Sequence, residues 1–338
     1  MVSVVHCIDA EGPVEETPDV RATLESRPTF ATWAEVENAC YRANMGRHYY
    51  PDTQGGEPVF SWFIADNVGW VDNPRRKATG FHAVYDRIIK YVRAGDSVGW
   101  HHHALSPRRR ALEYATTWTT NLPLAEEVLC RRLLERGTFP STFRAGGAIM
   151  RADLGAWLDL FIPFDYSPHP PVGGPGEPMD WRQPQPDGAR IQVRTAELDS
   201  VTYQMTEADV ERAFEVDAVL PGSGIVAYAG HDRRSIVGDL QAAHELVTRV
   251  AGKRPWKWAN AQDAVKEGFE PVGWTFSPWE ESDVMYMTAD QPIYGHPFLA
   301  VQDGDLIYRD NPTREGDYTW AFKKPKGARC VVAAWPAL

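Results

Sequence analysis

The sequence has few cysteines, and no two of them lie close together. The four cysteines of the 338-residue chain are Cys7, Cys40, Cys130 and Cys330, and no CxxC pair occurs. This spacing disfavours both a zinc site built from thiolates and a dense disulfide framework. We expect these thiols to be buried or incidental.

The chain also lacks the long apolar segments of membrane and secreted proteins. Its first nine residues, MVSVVHCID, contain no basic stretch followed by a long apolar one. Nowhere does an apolar run reach the roughly 18 residues that a membrane span needs. The sequence therefore predicts a cytoplasmic protein without a transmembrane segment.

Positive charge is scarce as well. The chain has 46 acidic and 35 basic residues, which gives a formal net charge of -11. Because nucleic-acid binding depends on Lys and Arg at the phosphates, this balance disfavours nucleic acid as a partner. Tryptophan, in contrast, is abundant at 13 residues, and we expect most of these rings in the core and some beside a ligand such as a sugar.

Apolar runs alternate with amphipathic segments through most of the chain. Residues 2–8, 58–65, 97–100 and 224–230 are typical of buried strands. Residues 79–94 carry apolar side chains every three or four positions, which predicts a helix. The alternation predicts an α/β fold with a parallel sheet, and the length suits a closed or nearly closed barrel.

The pattern of apolar and polar residues changes after about residue 270. Short alternating runs with turn signals, such as Asp303-Gly304, predict a small β-rich appendage. We therefore predict a barrel domain at 1–270, with an insert at about 14–57, and a C-terminal appendage at 271–338. A Pro- and Gly-rich loop at 168–188 is expected beside the site or over it.

Acidic residues and histidines follow three of the predicted strands. Because the carboxyl ends of parallel strands meet at one rim of a barrel, we expect these side chains to converge. They are Asp9 and Glu11 after the first strand, His101, His102 and His103 after another, and His231 with Asp232 after a late one.

Side-chain alternation along a strand reduces the histidine triplet to a pair. His101 and His103 are expected to project the same way, and His102 the other way. Two imidazoles and one carboxylate bind Zn²⁺ or Fe²⁺ and leave positions open for water and substrate. Taken alone, Asp9 and Glu11 also fit a turn and a helix cap.

The sequence resembles the polysaccharide deacetylase superfamily (the NodB-homology or carbohydrate esterase family 4 type), in its divergent branch with DxE and HxH motifs. The similarity runs from about residue 2 to 267 with five motifs in the family's order. They are Ile8-Asp-Ala-Glu-Gly-Pro13, Gly95-Asp-Ser-Val-Gly-Trp-His-His-His103, Phe143-Arg-Ala-Gly-Gly147, Asp165-Tyr-Ser167 and Tyr228-Ala-Gly-His231.

The resemblance implies a distorted (β/α) barrel of seven or eight units, similar to a TIM barrel. It also implies a metal-dependent hydrolase that removes an N-acyl group, in the first place N-acetyl, from an amino sugar or similar small amine. It implies one divalent metal, with zinc expected and iron, cobalt, nickel or manganese as alternatives. The implied ligands are Glu11, His101 and His103, with Asp9 possible in place of Glu11. The substrate would be a small or carrier-linked N-acylated molecule.

The resemblance also implies roles in catalysis. Asp9 would be the base that takes a proton from water, Arg144 would orient it, and His231 would protonate the leaving nitrogen. A backbone N–H near Gly146 would meet the oxyanion. The remaining candidates, for supporting the site or contacting the acceptor, are His102, Asp165, Asp232, Trp62 and Trp100, with Asp165 or Asp232 expected to hold the ring of His231.

Two other functions fit the same motifs. One is hydrolysis of a different C–N bond by a deformylase, ureide hydrolase or cyclic amide hydrolase. The other is non-catalytic carbohydrate binding by a degenerate member of the family. Separate assays of released acetate and formate distinguish the first, and the presence of bound metal argues against the second.

Overall fold

The computed structural model describes residues 1–12, 32–65, 79–104, 117–146, 150–167, 185–187, 189–193, 195–197, 204–232, 236–265, 274–278 and 283–337. Strands and helices alternate through the first 265 residues. The strands there are β1 (Val2–Ala10), β2 (Phe60–Ala65), β3 (Ser97–His102), β4 (Thr142–Ala145), β5 (Phe164–Asp165), β6 (Gln185–Asp187), β7 (Arg190–Gln192), β8 (Thr195–Glu197), β9 (Ile225–His231) and β10 (Trp256–Trp258). The helices are α1 (Trp33–Gly46), α2 (Thr79–Ile88), α3 (Leu122–Arg136), α4 (Ala152–Phe161), α5 (Glu207–Val219), α6 (Ile236–Ala251) and α7 (Ala261–Val265).

These ten strands form one curled sheet. Their order is β6-β7-β5-β4-β3-β2-β1-β9-β8, and β10 also pairs with β1. The pairs within this order are parallel except the antiparallel pair of β6 and β7. β7 pairs with β5 at one end of the order and β8 pairs with β9 at the other, yet only residues 193 and 194 separate them in the chain. No pairing of β7 with β8 closes the sheet among the described residues, so the sheet is a curled half-barrel with helices, which confirms the predicted α/β barrel class.

Side-chain alternation gives the sheet two distinct apolar faces. Val4, Ile8 and Trp62 belong to the layer between the sheet and its outer helices. Val5 and Cys7 belong to the inner core with Phe63. Residues that continue the inner series past the carboxyl ends of the strands are therefore directed to the mouth of the barrel.

The amino-terminal side of the sheet contains a buried ion pair. Asp96, just before β3, accepts hydrogen bonds from the backbone N–H groups of Phe60 (2.9 Å) and Arg93 (3.0 Å). Its carboxylate also pairs with Arg47 at 2.6 Å, and both side chains are buried. This carboxylate holds the start of β2 and the turn before β3 together, away from the histidines.

The C-terminal part of the chain is β-rich, as predicted. Its strands are β11 (Trp274–Pro278), β12 (Val284–Ala289), β13 (Phe298–Asp303), β14 (Leu306–Asp310), β15 (Thr313–Gly316), β16 (Thr319–Lys323) and β17 (Arg329–Ala333). They form two antiparallel sheets, of order β11-β12-β16-β15 and β14-β13-β17.

This β region packs directly on the barrel. The Phe298 ring lies 5.5 Å from that of Phe161 and 4.5 Å from that of Phe139, between ring centroids. Arg309 pairs with Glu126 of α3, and the indole N–H of Trp335 donates to the carbonyl of Pro140. The two parts share one apolar core here, and the domain boundary at 270 stays a prediction.

The predicted elements differ from the observed ones in a few places. The helix expected at 79–94 ends at Ile88 and continues as a 3-10 turn, Ile89–Tyr91. The short strands β6, β8 and β10 were not predicted, and β6 lies in the predicted loop at 168–188. Within the predicted insert, 13–31 lie outside the described residues, as does most of the predicted loop at 168–188. Among the described residues, no helix is long and apolar enough to cross a membrane.

Candidate metal centre

Three side chains from two strand ends meet at the mouth of the barrel. Glu11 Oε1 lies 3.2 Å from His101 Nε2 and 2.9 Å from His103 Nε2, and the two Nε2 atoms are 3.1 Å apart. Glu11 follows β1, and the histidines end and follow β3, with β2 between the two strands. Among the described residues, these three form the group of acids, histidines and cysteines close enough together to hold a metal ion.

A backbone contact fixes the tautomer of His101. Its Nδ1 lies 2.9 Å from the carbonyl oxygen of Arg144. Because a carbonyl oxygen can only accept, Nδ1 carries the proton and donates it, which leaves the Nε2 lone pair directed at the other two ligand atoms. A metal-binding histidine is typically oriented in this way by its second nitrogen.

The spacing of the three atoms fits a small divalent ion. With bonds of about 2.0–2.1 Å, neighbouring ligands are about 3.3 Å apart in a tetrahedral site and about 2.9 Å apart on one face of an octahedron. The observed edges of 2.9 to 3.2 Å fall between these values. Burial, together with the neighbouring His101 and His102, holds the pKa of His103 well below its usual value, which favours the neutral, ligating form.

Asp9 lies behind this group, next to Arg144. Arg144 Nε is 2.8 Å from each oxygen of the Asp9 carboxylate, and Arg144 Nη1 donates to the carbonyl of Tyr166 at 2.9 Å. Burial alone raises the pKa of Asp9, but the charge of Arg144, followed by those of His101 and His231, outweighs it and lowers the pKa to about 2. Asp9 is therefore ionised and contacts Arg144, whereas Glu11 contacts the histidine pair.

His231 is the most accessible of these groups. Its Nε2 lies 3.9 Å from Glu11 Oε1, and its side chain is 27% exposed, against 1% for His101 and 5% for Glu11. Its Nδ1 is buried and has no hydrogen-bond partner among the described residues. The ring therefore lies at the open side of the site.

Asp232, the next residue, contacts the turn after β1 instead of the His231 ring. Asp232 Oδ2 accepts a hydrogen bond from the backbone N–H of Gly12 at 2.8 Å. Burial raises the pKa of Asp232 to about 7, with the Gly12 N–H and His231 acting against the shift and Asp9 adding to it. The expectation that Asp232 holds the ring of His231 does not match this contact.

Gly146 provides space for His103. A Cβ atom at this position would lie 2.3 Å from Cγ and 2.5 Å from Nδ1 of the His103 ring. The glycine thus lets the ring pack against the backbone after β4. This steric role differs from the predicted oxyanion contact, and residue 147 lies outside the described part of the chain.

Four other predicted site residues lie elsewhere. Trp62 and Trp100 are fully buried between sheet and helices, and the Trp62 indole donates to Asp96, so neither lines an acceptor pocket. His102 is buried on the same outer side, with its ring near those of Trp100 and Trp118. Asp165 accepts from the Ser167 N–H at 2.9 Å and pairs with Arg190 at 3.3 Å, which gives it a structural contact in place of the expected one with His231.

The turn that carries Glu11 follows the first strand, as predicted, but its left-handed glycine and its packing were not predicted. Gly12 has a φ of +67°, and a Cβ there would lie 2.5 Å from the Trp33 ring. This positive φ and close packing both require glycine. The signal available in the sequence was a glycine directly after the acidic pair, followed by proline.

Comparisons with known proteins give only distant likenesses. No family model and no curated protein matches the chain. A solved structure named "putative polysaccharide deacetylase from Mycobacterium smegmatis" is 15% identical, covers 78% of this chain and 89% of its own, and has a TM-score of 0.40. A "putative glycoside hydrolase/deacetylase" from Parabacteroides distasonis is 12% identical, covers 91% of this chain and 83% of its own, and has a TM-score of 0.43. Structural similarity this low does not indicate a function.

Proposed function

We propose that this chain is a metal-dependent hydrolase of the polysaccharide deacetylase type, which removes an N-acetyl group from an amino sugar or similar small amine. The observation that carries the proposal is the triangle of Glu11, His101 and His103 with His231 beside it at the open side of the barrel. Zinc is the metal we expect there. When bound, a divalent ion of this kind activates water and polarises an acyl carbonyl.

Asp9 is the group that would take a proton from the attacking water. Arg144 keeps its carboxylate ionised and fixes its orientation through the two 2.8 Å contacts. A low pKa makes this carboxylate a weak base, and a metal held by the ligand triangle would ease the transfer by lowering the pKa of the attacking water. The contacts of Asp9 with Arg144 favour this role over that of a fourth ligand.

His231 is the group that would protonate the leaving nitrogen. It lies beside the ligand set, and its partly exposed ring faces the side from which a substrate can enter. A leaving amine needs a proton as the C–N bond breaks, and a protonated imidazole can donate one. The acyl carbon would therefore lie between the ligand triangle and the His231 ring.

The test is a hydrolysis assay on protein stripped with chelator and then reloaded with zinc. A panel of N-acetylated and N-formylated amino sugars is incubated with each form, and acetate, formate and free amine are measured separately. We expect acetate release by the zinc-loaded protein and none by the stripped protein. Replacing His231→Ala should lower the rate of acetate release by about 10²–10⁴-fold, the usual contribution of a general acid, without loss of zinc.

Other results would change the assignment in defined ways. Formate without acetate would make the chain a deformylase on the same barrel. Failure of the wild-type protein to bind zinc, cobalt, nickel, manganese or iron at micromolar concentration would contradict the proposal at its centre. His244→Ala is the matched control, because that histidine lies on α6 and donates from Nε2 to the carbonyl oxygen of Pro51, remote from the ligand triangle.

A further inference from the structure

The turn that carries Glu11 is held by Asp232, a residue 220 positions later in the chain. Asp232 Oδ2 accepts the Gly12 N–H at 2.8 Å, and the Asp232 N–H donates to the Asp9 carbonyl at 3.2 Å. Residue 232 thus bonds to the chain on both sides of Glu11. In the β1–β9 ladder, Asp9 pairs with His231, so these two bonds extend the ladder beyond its last pair.

The opposite side of the turn is closed by an aromatic ring. Gly12 has a left-handed φ of +67°, and the nearest atoms of the Trp33 ring would lie 2.5 to 3.2 Å from a Cβ on it. The turn therefore has one conformation held from two sides. From this backbone position, Glu11 Oε1 lies 3.2 Å from His101 Nε2 and 2.9 Å from His103 Nε2.

The Asp232 side chain is not placed to act on the His231 ring. Successive residues of an extended chain direct their side chains to opposite sides. Asp232 is fully buried, its contact is with Gly12, and its Oδ1 has no hydrogen-bond partner among the described residues. His231 Nδ1 likewise has none there.

We infer that Asp232 is a positioning residue for the metal ligand Glu11, acting through the hydrogen bond to Gly12. The inference rests on the proposed metal site and deepens it. An acceptor atom at this place is what the turn requires, so the amide oxygen of an asparagine should serve, whereas a side chain without an acceptor should not. Partners of this indirect kind typically change metal affinity by about 10–100-fold when they are removed.

The experiment compares Asp232→Leu, Asp232→Ala and Asp232→Asn with the wild-type protein. Zinc affinity is measured by competition with a chromogenic chelator, and the melting temperature is measured on the metal-free forms. We expect Asp232→Leu and Asp232→Ala to bind zinc about 10–100-fold more weakly, and Asp232→Asn to stay within about threefold of the wild type. Leucine is included because it fills the site and avoids the cavity that alanine leaves.

Asp96→Asn is the matched control. Asp96 is also buried and also accepts backbone N–H groups, but at the amino-terminal side of the sheet. The Asp96→Asn variant should have a lower melting temperature than the wild type and the same zinc affinity. Weakened zinc binding in the Asp232 variants is then separable from general loss of stability.

Three results would overturn the inference. Wild-type zinc affinity in both Asp232→Leu and Asp232→Ala would show that the bond does not position Glu11. Equal weakening in Asp232→Asn would show that charge, and not an acceptor, is required. A wild-type protein that binds no zinc contradicts the proposed function and the inference together, whereas the first two results contradict the inference alone.

Discussion

His101, His102 and His103 have the same side chain in three consecutive positions but face different surroundings. His101 and His103 contact Glu11 at the mouth of the barrel, while His102 packs near Trp100 and Trp118 on the outer side. Replacement by alanine should therefore weaken metal binding at positions 101 and 103. At position 102 it should lower the stability of the fold instead.

We predict that His101→Ala and His103→Ala each weaken zinc binding by roughly a hundredfold or more, since each removes one of three protein ligands. His102→Ala should keep zinc affinity but lower the free energy of unfolding by about 1–3 kcal/mol, through lost core packing. Chelator competition and urea unfolding measure the two quantities on the same samples. Loss of zinc in His102→Ala alone would contradict the assignment of faces.

The histidine triplet also shows which contacts of the candidate site could be predicted from the sequence. Alternation along an extended chain is a backbone property, so His101 and His103 could be paired from sequence. The same alternation places Trp100 on the outer face with His102, so the prediction of Trp100 at an acceptor pocket was inconsistent with it. The contact of Asp232 with Gly12 joins residues 220 apart and depends on a turn geometry that composition does not reveal.

His6 gives a prediction for the pH dependence of stability, and it is not one of the proposed metal ligands. Its ring is fully buried near Phe60 and Tyr228, and neither ring nitrogen has a partner among the described residues. Burial, with a smaller effect of the Arg47 charge, lowers the pKa of His6 to about 3. The unfolded chain binds a proton below pH about 6.5, whereas the folded protein does so only below about 3.

Stability should therefore fall as the pH is lowered from 6.5 towards 3. From this group alone, we expect about 2 kcal/mol less unfolding free energy at pH 5 than at pH 7.5. His6→Phe should remove this part of the pH dependence and raise stability at neutral pH, because it replaces two unpaired buried nitrogens with a ring of similar shape. Urea unfolding at several pH values measures both effects, and identical pH profiles for the two proteins would contradict the explanation.

At the scale of elements, the turn after β4 controls the position of the histidine that follows β3. Gly146→Ala places a methyl group 2.3 Å from the His103 ring, so the ring has to move. We predict that zinc affinity falls by on the order of 10–100-fold. Gly46→Ala is the control, because the nearest atom to its added Cβ is 4.0 Å away. Equal zinc affinities for both variants would contradict the steric argument.

The strands that carry the site were easier to predict than the strands at the two ends of the sheet. β1, β2, β3 and β9 are apolar runs of six to nine residues, and the predicted bounds lie within about two residues of the observed ones. The sequence predicts a strand near residues 190–194, where β7 lies, but β6 and β8 have three residues each, too few to show a period. Arg190 in β7 pairs with Asp165, and this contact depends on the pairing of β7 with β5, which the sequence does not reveal.

At the scale of the whole molecule, the β region and the barrel are joined by a common apolar core. Phe298 and Ala300 of β13 lie in the same buried cluster as Leu129, Trp157 and Phe161 of α3 and α4. The backbone adds to this contact, because the His296 N–H donates to the carbonyl of Leu160 at 2.8 Å. Two parts that share buried side chains in this way are expected to unfold together.

We predict a single cooperative unfolding transition in which the melting of the barrel and of the β region coincide. Phe298→Ala should lower the unfolding free energy of the whole chain by about 3–5 kcal/mol, since it removes a fully buried ring from the shared core. Leu306→Ala, on neighbouring β14, removes a side chain that is 68% exposed and should change stability by less than about 0.5 kcal/mol. Calorimetry with far- and near-ultraviolet circular dichroism measures the transitions. If the wild-type protein melts in two steps, with a zinc-binding barrel left folded after the first, the β region is an appendage in the thermodynamic sense, and the shared core does not couple it to the site.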